Sequence, residues 1–245
     1  MTYLSENLKI FQRVREGKCV HILALGSSST EHFMVGTHWF DLVEIGFMHT
    51  FRHWTEDRKS VYTTQLCLNA GTSNHTTGEL LARFQRDVAP FQPDLVILTC
   101  GFNDANPNRN VSLEEFRENL EFLRAKVEEL EGELLFQMPC APDAELLQQT
   151  HPEWNAAIPS YMQVMREVAG AYLHDNFSRW ERLRIQAPEL YRLLMRDSMH
   201  VNPEGSAVMG LDLARQLGLS IPTENSQWLR APLFAQKCLD LLSRC

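Results

Sequence analysis

The sequence predicts an α/β fold in which one parallel β-sheet is covered by helices on both faces. Short unbroken apolar runs, too short for buried helices, recur along the chain and each ends in a cluster of turn-forming residues. Longer segments with apolar residues at helical spacing lie between them. Strands that alternate with helices need crossover connections, and crossovers give parallel pairing. No internal repeat, low-complexity stretch or linker rich in Gly, Pro or Ser divides the 245 residues. One domain over residues 1–217 is therefore expected, with 218–245 as a C-terminal extension.

Each element has its own signal. Apolar spacing from Leu4 to Val14 predicts a short leading helix. Cys19 to Leu25 (Cys-Val-His-Ile-Leu-Ala-Leu) reads as a strand covered on both faces, ended by Gly26 and three serines. Residues 38–54 return to helical periodicity, with Trp39, Leu42, Val43, Phe47 and Phe51 on one side. Trp39 and Phe47 are thereby assigned to the core rather than to a substrate platform. Val61 to Leu68 is expected as the second strand, and Thr76 to Phe84 as a helix capped by threonine. Asp94 to Cys100 is the third strand. Ser112-Leu-Glu-Glu115 is a capping box that opens a helix to about Leu130. Glu133 to Met138 is the fourth strand, stopped by Pro139; residues 154–169 form a helix and Ala171 to His174 a short fifth strand. Pro203 is placed to begin the last helix of the domain. Beyond Leu217 a loop from Ile221 precedes a helical stretch, Leu233 to Leu242. This tail is expected to pack on the domain or on a partner chain, which would make a homo-oligomer.

Composition narrows the function classes. With 31 acidic and 23 basic residues the formal charge is −8, and no Lys/Arg cluster supplies the positive patch that a nucleic-acid partner needs. No hydrophobic run reaches membrane-spanning length. The first ten residues lack a basic end followed by an apolar stretch, so a cytoplasmic location is expected. The cysteines (Cys19, Cys67, Cys100, Cys140, Cys238, Cys245) form no Cys-x-x-Cys pair and read as thiols rather than as disulfides or zinc ligands. His49 and His53 are four apart on a helix, but the Glu of His-Glu-x-x-His is missing, and no metal is expected. Neither a Gly-x-Gly-x-x-Gly after a strand nor a Walker loop occurs, so no nucleotide cofactor is expected.

Parallel α/β sheets bind ligands beyond the carboxyl ends of their strands. Those ends carry Gly26-Ser27-Ser28-Ser29-Thr30, Asn69 through Thr77, and Gly101-Phe102-Asn103-Asp104, while Asp197-Ser-Met-His200 comes late in the chain. A strand-end serine attacks a carbonyl only when a base takes its proton, and histidine is the usual base. A carboxylate on the other ring nitrogen improves that base, and Asp197 and His200 can face the same way on a tight turn. A developing oxyanion needs donors, which loop N–H groups and the Asn103 amide can supply. Asp104 is expected to brace its loop, and His32 and His75 lie beside these loops as candidates to line a pocket.

These four segments, in their order, resemble the four sequence blocks of the SGNH (GDSL-like) hydrolase superfamily over residues 19–210. The resemblance implies a flavodoxin-like three-layer α/β/α sandwich with about five parallel strands. It implies Ser28 as nucleophile, His200 as base, Asp197 as its partner, and an oxyanion hole built from Ser28, Gly71, Asn74 and Asn103. Two positions depart from the family pattern. Ser27 replaces the Asp that precedes the nucleophile, and Asn74 stands where a glycine donates its backbone N–H. Asn tolerates the left-handed backbone that such a glycine adopts. The absence of the Gly-x-Ser-x-Gly elbow separates the chain from α/β-hydrolases. The implied activity is hydrolysis of a small-molecule ester through an acyl-enzyme. With no long apolar lid segment, the expected acyl group is small, acetyl on a carbohydrate or small metabolite. Two rivals remain at this point. One is a binding protein on the same fold with a degraded oxyanion hole, and the other is an O-acyltransferase with the same triad.

Overall fold

A computed structural model describes residues 4–35, 38–54 and 64–220. A single turn of 3-10 helix, Leu4–Asn7, leads into α1 (Ile10–Arg15) and β1 (Val20–Gly26). Then follow α2 (Trp39–Trp54), β2 (Gln65–Gly71), α3 (Thr77–Ala82), α4 (Phe84–Asp87) and β3 (Leu95–Thr99). The second half contains α5 (Leu113–Glu129), β4 (Glu133–Gln137), α6 (Ala144–Thr150), α7 (Pro152–Ala169) and β5 (Leu173–His174). It closes with α8 (Asn176–Gln186), α9 (Pro188–Leu193) and α10 (Pro203–Gln216).

The five strands run in the order β2-β1-β3-β4-β5, and every pair is parallel. This is the flavodoxin-like order, in which the chain changes direction of progress between β1 and β3 and leaves a crevice at their carboxyl ends. Register places Gly26 beside Gly71 on one side and Thr99 on the other. Alternation of side chains explains the unbroken apolar runs. Leu23, Leu25, Val96, Leu98 and Phe136 join one core with residues of α3, α5 and α7. Ile22, Ala24, Ile97 and Leu135 join the other with residues of α1, α2 and α10. Trp39 and Phe47 are fully buried in that second core.

Helix starts follow local chemistry. Thr76 and Glu79 form a capping box at α3, and the Ser112 hydroxyl accepts the Glu115 N–H at α5. The segment expected as one helix to Phe84 breaks at Arg83 into α3 and α4. The leading helix is likewise broken, into the Leu4–Asn7 turn and α1. Helices α6 and α8 were not expected; the Asp143 and Asp175 carboxylates cap them by accepting the Leu146 and Ser178 N–H groups. The second strand lies later than expected and includes Asn69-Ala-Gly71, because pairing with Ala24–Gly26 outweighs their turn-like composition. It is an edge strand, and Leu66 and Leu68 are exposed on it. Residues 61–63 and the helical stretch expected at 233–242 lie outside the described residues. After α10 the chain stays packed as far as Ser220, whose N–H donates to Thr50 Oγ1 of α2 at 2.8 Å.

One close approach joins β2 to the loop after β1. A Cβ placed on Gly71 would overlap the backbone of Thr30 and the Glu31 nitrogen. Neither neighbour is a flexible side-chain tip that could swing away. Gly71→Ala is therefore expected to lower stability by about 1–3 kcal/mol, the usual cost of overpacking. Urea unfolding measures this; an unchanged midpoint would mean that the two backbones are not in contact.

Candidate active site

The loop after β1 is a tight turn anchored at both ends. Ser27 N–H donates to Thr99 O of β3 at 3.3 Å, and Ser27 O accepts the N–H groups of Thr30 and Glu31 at 2.9 and 3.0 Å. The buried Arg83 side chain donates to Gly26 O and Ala70 O at 3.1 and 2.7 Å and pairs with Asp87 at 2.9 Å, tying the ends of β1 and β2 together. Ser29 O accepts the Trp39 indole N–H at 2.8 Å, with His38 Nε2 at 3.3 Å. Burial pushes the His38 imidazole down to about 4, so it is neutral at physiological pH. Its Nδ1 accepts the Phe40 N–H at 3.2 Å, which leaves the ring proton on Nε2 for Ser29 O.

At the far end of the chain, Arg196 N–H donates to His200 O at 2.8 Å and closes a turn. Asn202 then caps α10 by accepting the Gly205 N–H at 2.9 Å, while its amide donates to Leu193 O at 2.7 Å. This turn carries His200 to the loop after β1. Ser28 Oγ lies 2.9 Å from His200 Nε2, and His200 Nδ1 lies 2.9 and 3.0 Å from the two oxygens of Asp197. Asp197 Oδ1 also accepts the N–H groups of Met199 and His200 at 2.9 and 2.8 Å. Burial alone would push the Asp197 carboxyl up. The Met199 N–H, the charge on His200 and the His200 N–H outweigh it and hold the group below its ordinary value. An ionised Asp197 keeps the ring proton on His200 Nδ1 and frees Nε2 to accept from Ser28.

The expected oxyanion residues have different fates. Ser28 N–H makes no hydrogen bond among the described residues. Gly71 N–H does, to Asn69 Oδ1 at 2.8 Å, so it is not a free donor; Gly71 instead provides the close approach to Thr30. Asn74 adopts the left-handed backbone at φ 66°. Its side chain is exposed and turned to Arg109, which donates to Asn74 O and Oδ1 at 2.9 and 3.1 Å. Asn103 donates to His75 O at 2.9 Å, and a primary amide has a second hydrogen to offer. Asp104 Oδ1 accepts the Thr77 N–H and hydroxyl at 2.8 and 2.5 Å and so braces this loop.

A cavity of about 30 Å³ joins these groups, lined by Ser28, Phe102, Asn103, Trp154, Met199 and His200 among others. Trp154 at the start of α7 is fixed by its indole N–H to Phe102 O at 2.7 Å. Phe102, Trp154 and Met199 are site residues that sequence reasoning did not select. Gly71, Asn74, His32 and His75 do not line the cavity, and His32 pairs with Asp41 at 3.0 Å. Among the described residues no group of three or more His, Cys, Asp or Glu could hold a metal ion. Burial pushes the Cys140 thiol up to about 12, and Cys19, Cys67, Cys100 and Cys140 are all free. Cys238, Cys245 and the His53 side chain lie outside the described residues. No described helix is long and apolar enough to cross a membrane.

The model of the GDSL-like lipase/acylhydrolase family matches residues 24–208. The chain belongs to that family. It is an ester-hydrolysing enzyme. Comparison with curated proteins returns no significant match. Among solved structures, Axe2, an acetylxylan esterase from Geobacillus stearothermophilus, is similar at 19% identity and a TM-score of 0.65, over 83% of this chain and 97% of that one. The lipase/acylhydrolase from Enterococcus faecalis is similar at 23% identity and a TM-score of 0.61, over 83% and 99%. The acetyl xylan esterase AlAXEase gives 17% identity and a TM-score of 0.64, over 81% and 98%. At these identities the likeness establishes the shared fold.

Two expectations follow for this acylhydrolase. Asn103→Ala should lower kcat by about a hundred- to a thousandfold with little change in KM, as removal of an oxyanion donor does. Steady-state kinetics would show near wild-type turnover if the amide has no such role. Asp197 titrates below its ordinary value of 3.8, so its contribution to stability is present above that value and lost as pH falls through the folded one. The stability gap between wild type and Asp197→Asn should then be constant at neutral pH and close below 3.8. Urea midpoints across that range that run parallel would contradict it.

Proposed function

We propose that this acylhydrolase is a serine esterase that removes small acyl groups, acetyl first, from a carbohydrate or small metabolite. The observation that carries the reading is the unbroken relay from Ser28 Oγ through His200 to Asp197, with 2.9 Å at each step. His200 Nε2 takes the Ser28 proton as Oγ attacks the ester carbonyl, and Asp197 stabilises the imidazolium. The Ser28 N–H and the second Asn103 hydrogen receive the oxyanion. His200 then protonates the departing alcohol and leaves an acyl group on Ser28. Water hydrolyses that ester with His200 again as base.

Two further observations support a small acyl group on a sugar. The cavity at Ser28 is small, and Phe102, Pro139, Trp154 and Met199 form an apolar side to it opposite a polar lining that includes Ser28, Asn103 and His200. Axe2 and AlAXEase are acetylxylan esterases. Catalytic mutants of Axe2 replace a serine, an aspartate and a histidine three residues beyond that aspartate, the same order as Ser28, Asp197 and His200 with the same Asp-to-His spacing. A binding protein with a degraded site would have Ser28 and His200 apart or Asn74 in the oxyanion pocket. Neither arrangement is present.

The test is hydrolysis of p-nitrophenyl acetate by wild type beside Ser28→Ala at matched purity. Wild type should be active and the variant at least about ten-thousandfold slower. Equal rates would remove Ser28 from the mechanism. Octanoyl esters cleaved much faster than acetyl esters would overturn the small-acyl assignment. Acylated product formed from added sugar acceptors would mark a transferase.

A further inference from the structure

A second cavity, of about 20 Å³, also opens on Ser28 and His200. Its remaining walls include Val35, Cys140, Ser206 and Met209, so it shares nothing with the first cavity beyond Ser28, Ser29 and His200. It therefore reaches the nucleophile and base from a side away from Asn103 and Trp154. A water molecule needs about 10–15 Å³ of such space, so the cavity has room for one water and not for a sugar.

Ser206 makes this cavity more than a packing gap. It is fully buried in the second turn of α10, and its Oγ has no hydrogen-bond partner among the described residues. A helical serine can direct its hydroxyl to the carbonyl four residues back. Here Asn202 O receives the Ser206 N–H at 2.8 Å, but not the hydroxyl. A buried hydroxyl left without a partner is destabilising, a cost that an apolar side chain at this position would avoid. Ser206 is also rigidly placed relative to His200, because Asn202 lies between them and caps the same helix.

We propose that this cavity holds the water that deacylates Ser28, and that Ser206 orients it; the proposal rests on the acyl-enzyme reading above. The water directs one hydrogen to His200 Nε2 and the other to Ser206 Oγ, which turns a lone pair toward the acyl carbon. As the new C–O bond forms, His200 takes the first proton. The tetrahedral intermediate then breaks its bond to Ser28 Oγ, which recovers that proton from His200, and the carboxylic acid leaves. Ser206 takes no part in acylation, where the serine itself is the nucleophile.

Rapid-mixing kinetics with p-nitrophenyl acetate separate the two half-reactions. In Ser206→Ala the acylation burst should keep its wild-type rate while deacylation slows about ten- to a hundredfold, as expected of a misplaced reactant. Intact-protein mass spectrometry should find acetyl-enzyme accumulating at steady state. Hydroxylamine, a nucleophile that needs no such cradle, should restore turnover more in the variant than in wild type. Ser206→Cys, of similar shape but a weak acceptor, should repeat the defect if the alanine variant folds poorly. Wild-type deacylation in the variants, or equal losses in both half-reactions, would overturn the assignment of Ser206 alone. Absence of any acetyl group on Ser28 in the wild type would overturn this proposal together with the acyl-enzyme reading.

Discussion

Ser27 N–H reaches across to Thr99 O at the place where β1 ends between its two neighbours. Only a glycine fits at that end, because a Cβ on Gly26 would overlap Thr99 O and the Thr30 hydroxyl. The chain turns at once, and Ser27 O closes the turn by accepting from Thr30 and Glu31. Ser28 is thus the first side chain free to stand above the sheet. Arg83 beneath and Trp39 behind hold the turn through backbone carbonyls rather than through side chains. The departure from the family's Asp at Ser27 is consequently mild. What places Ser28 is main-chain geometry, and that geometry does not depend on the side chain of residue 27.

Two histidines near this turn have opposite tasks, which their surroundings assign. His38 is buried and kept neutral by desolvation, and its two ring nitrogens are committed to Ser29 O and the Phe40 N–H. It is a spacer between α2 and the loop. His200 is partly exposed and backed by an ionised Asp197, the combination that lets a base accept a proton during reaction. The two differ in what the second ring nitrogen meets, the Asp197 carboxylate for His200 and the Phe40 N–H for His38.

The sequence conveys the fold well where burial is complete on both faces. β1, β3 and β4 read as uninterrupted apolar runs because helices cover them twice over. β2 is an edge strand with alternating exposure, and its apparent position drifts upstream for lack of that signal. Helices α6 and α8 are mostly polar, and their carboxylate caps at Asp143 and Asp175 were the available clue. At the site, Ser28, Asp197 and His200 are legible because their chemistry needs particular residue types in a particular order. Gly71 is not, since any backbone N–H looks alike in sequence and only Asn69 reveals that this one is taken. The walls contributed by Phe102, Trp154 and Met199 are ordinary apolar residues until two loops and the start of α7 converge. Ser206 carries a motif-neutral hydroxyl whose isolation exists only in three dimensions.

The loop that carries Asn74 is held from outside the crevice. Arg109 grips the Asn74 carbonyl and amide and pairs with Glu79 at 2.5 Å, and Glu79 in turn receives the Thr76 N–H at 2.7 Å. Both partners of this ion pair are reached by solvent, so dissolved ions weaken it. Ionic strength thus acts on the set of this loop, and raising it loosens the shoulder of the crevice beside Asn103.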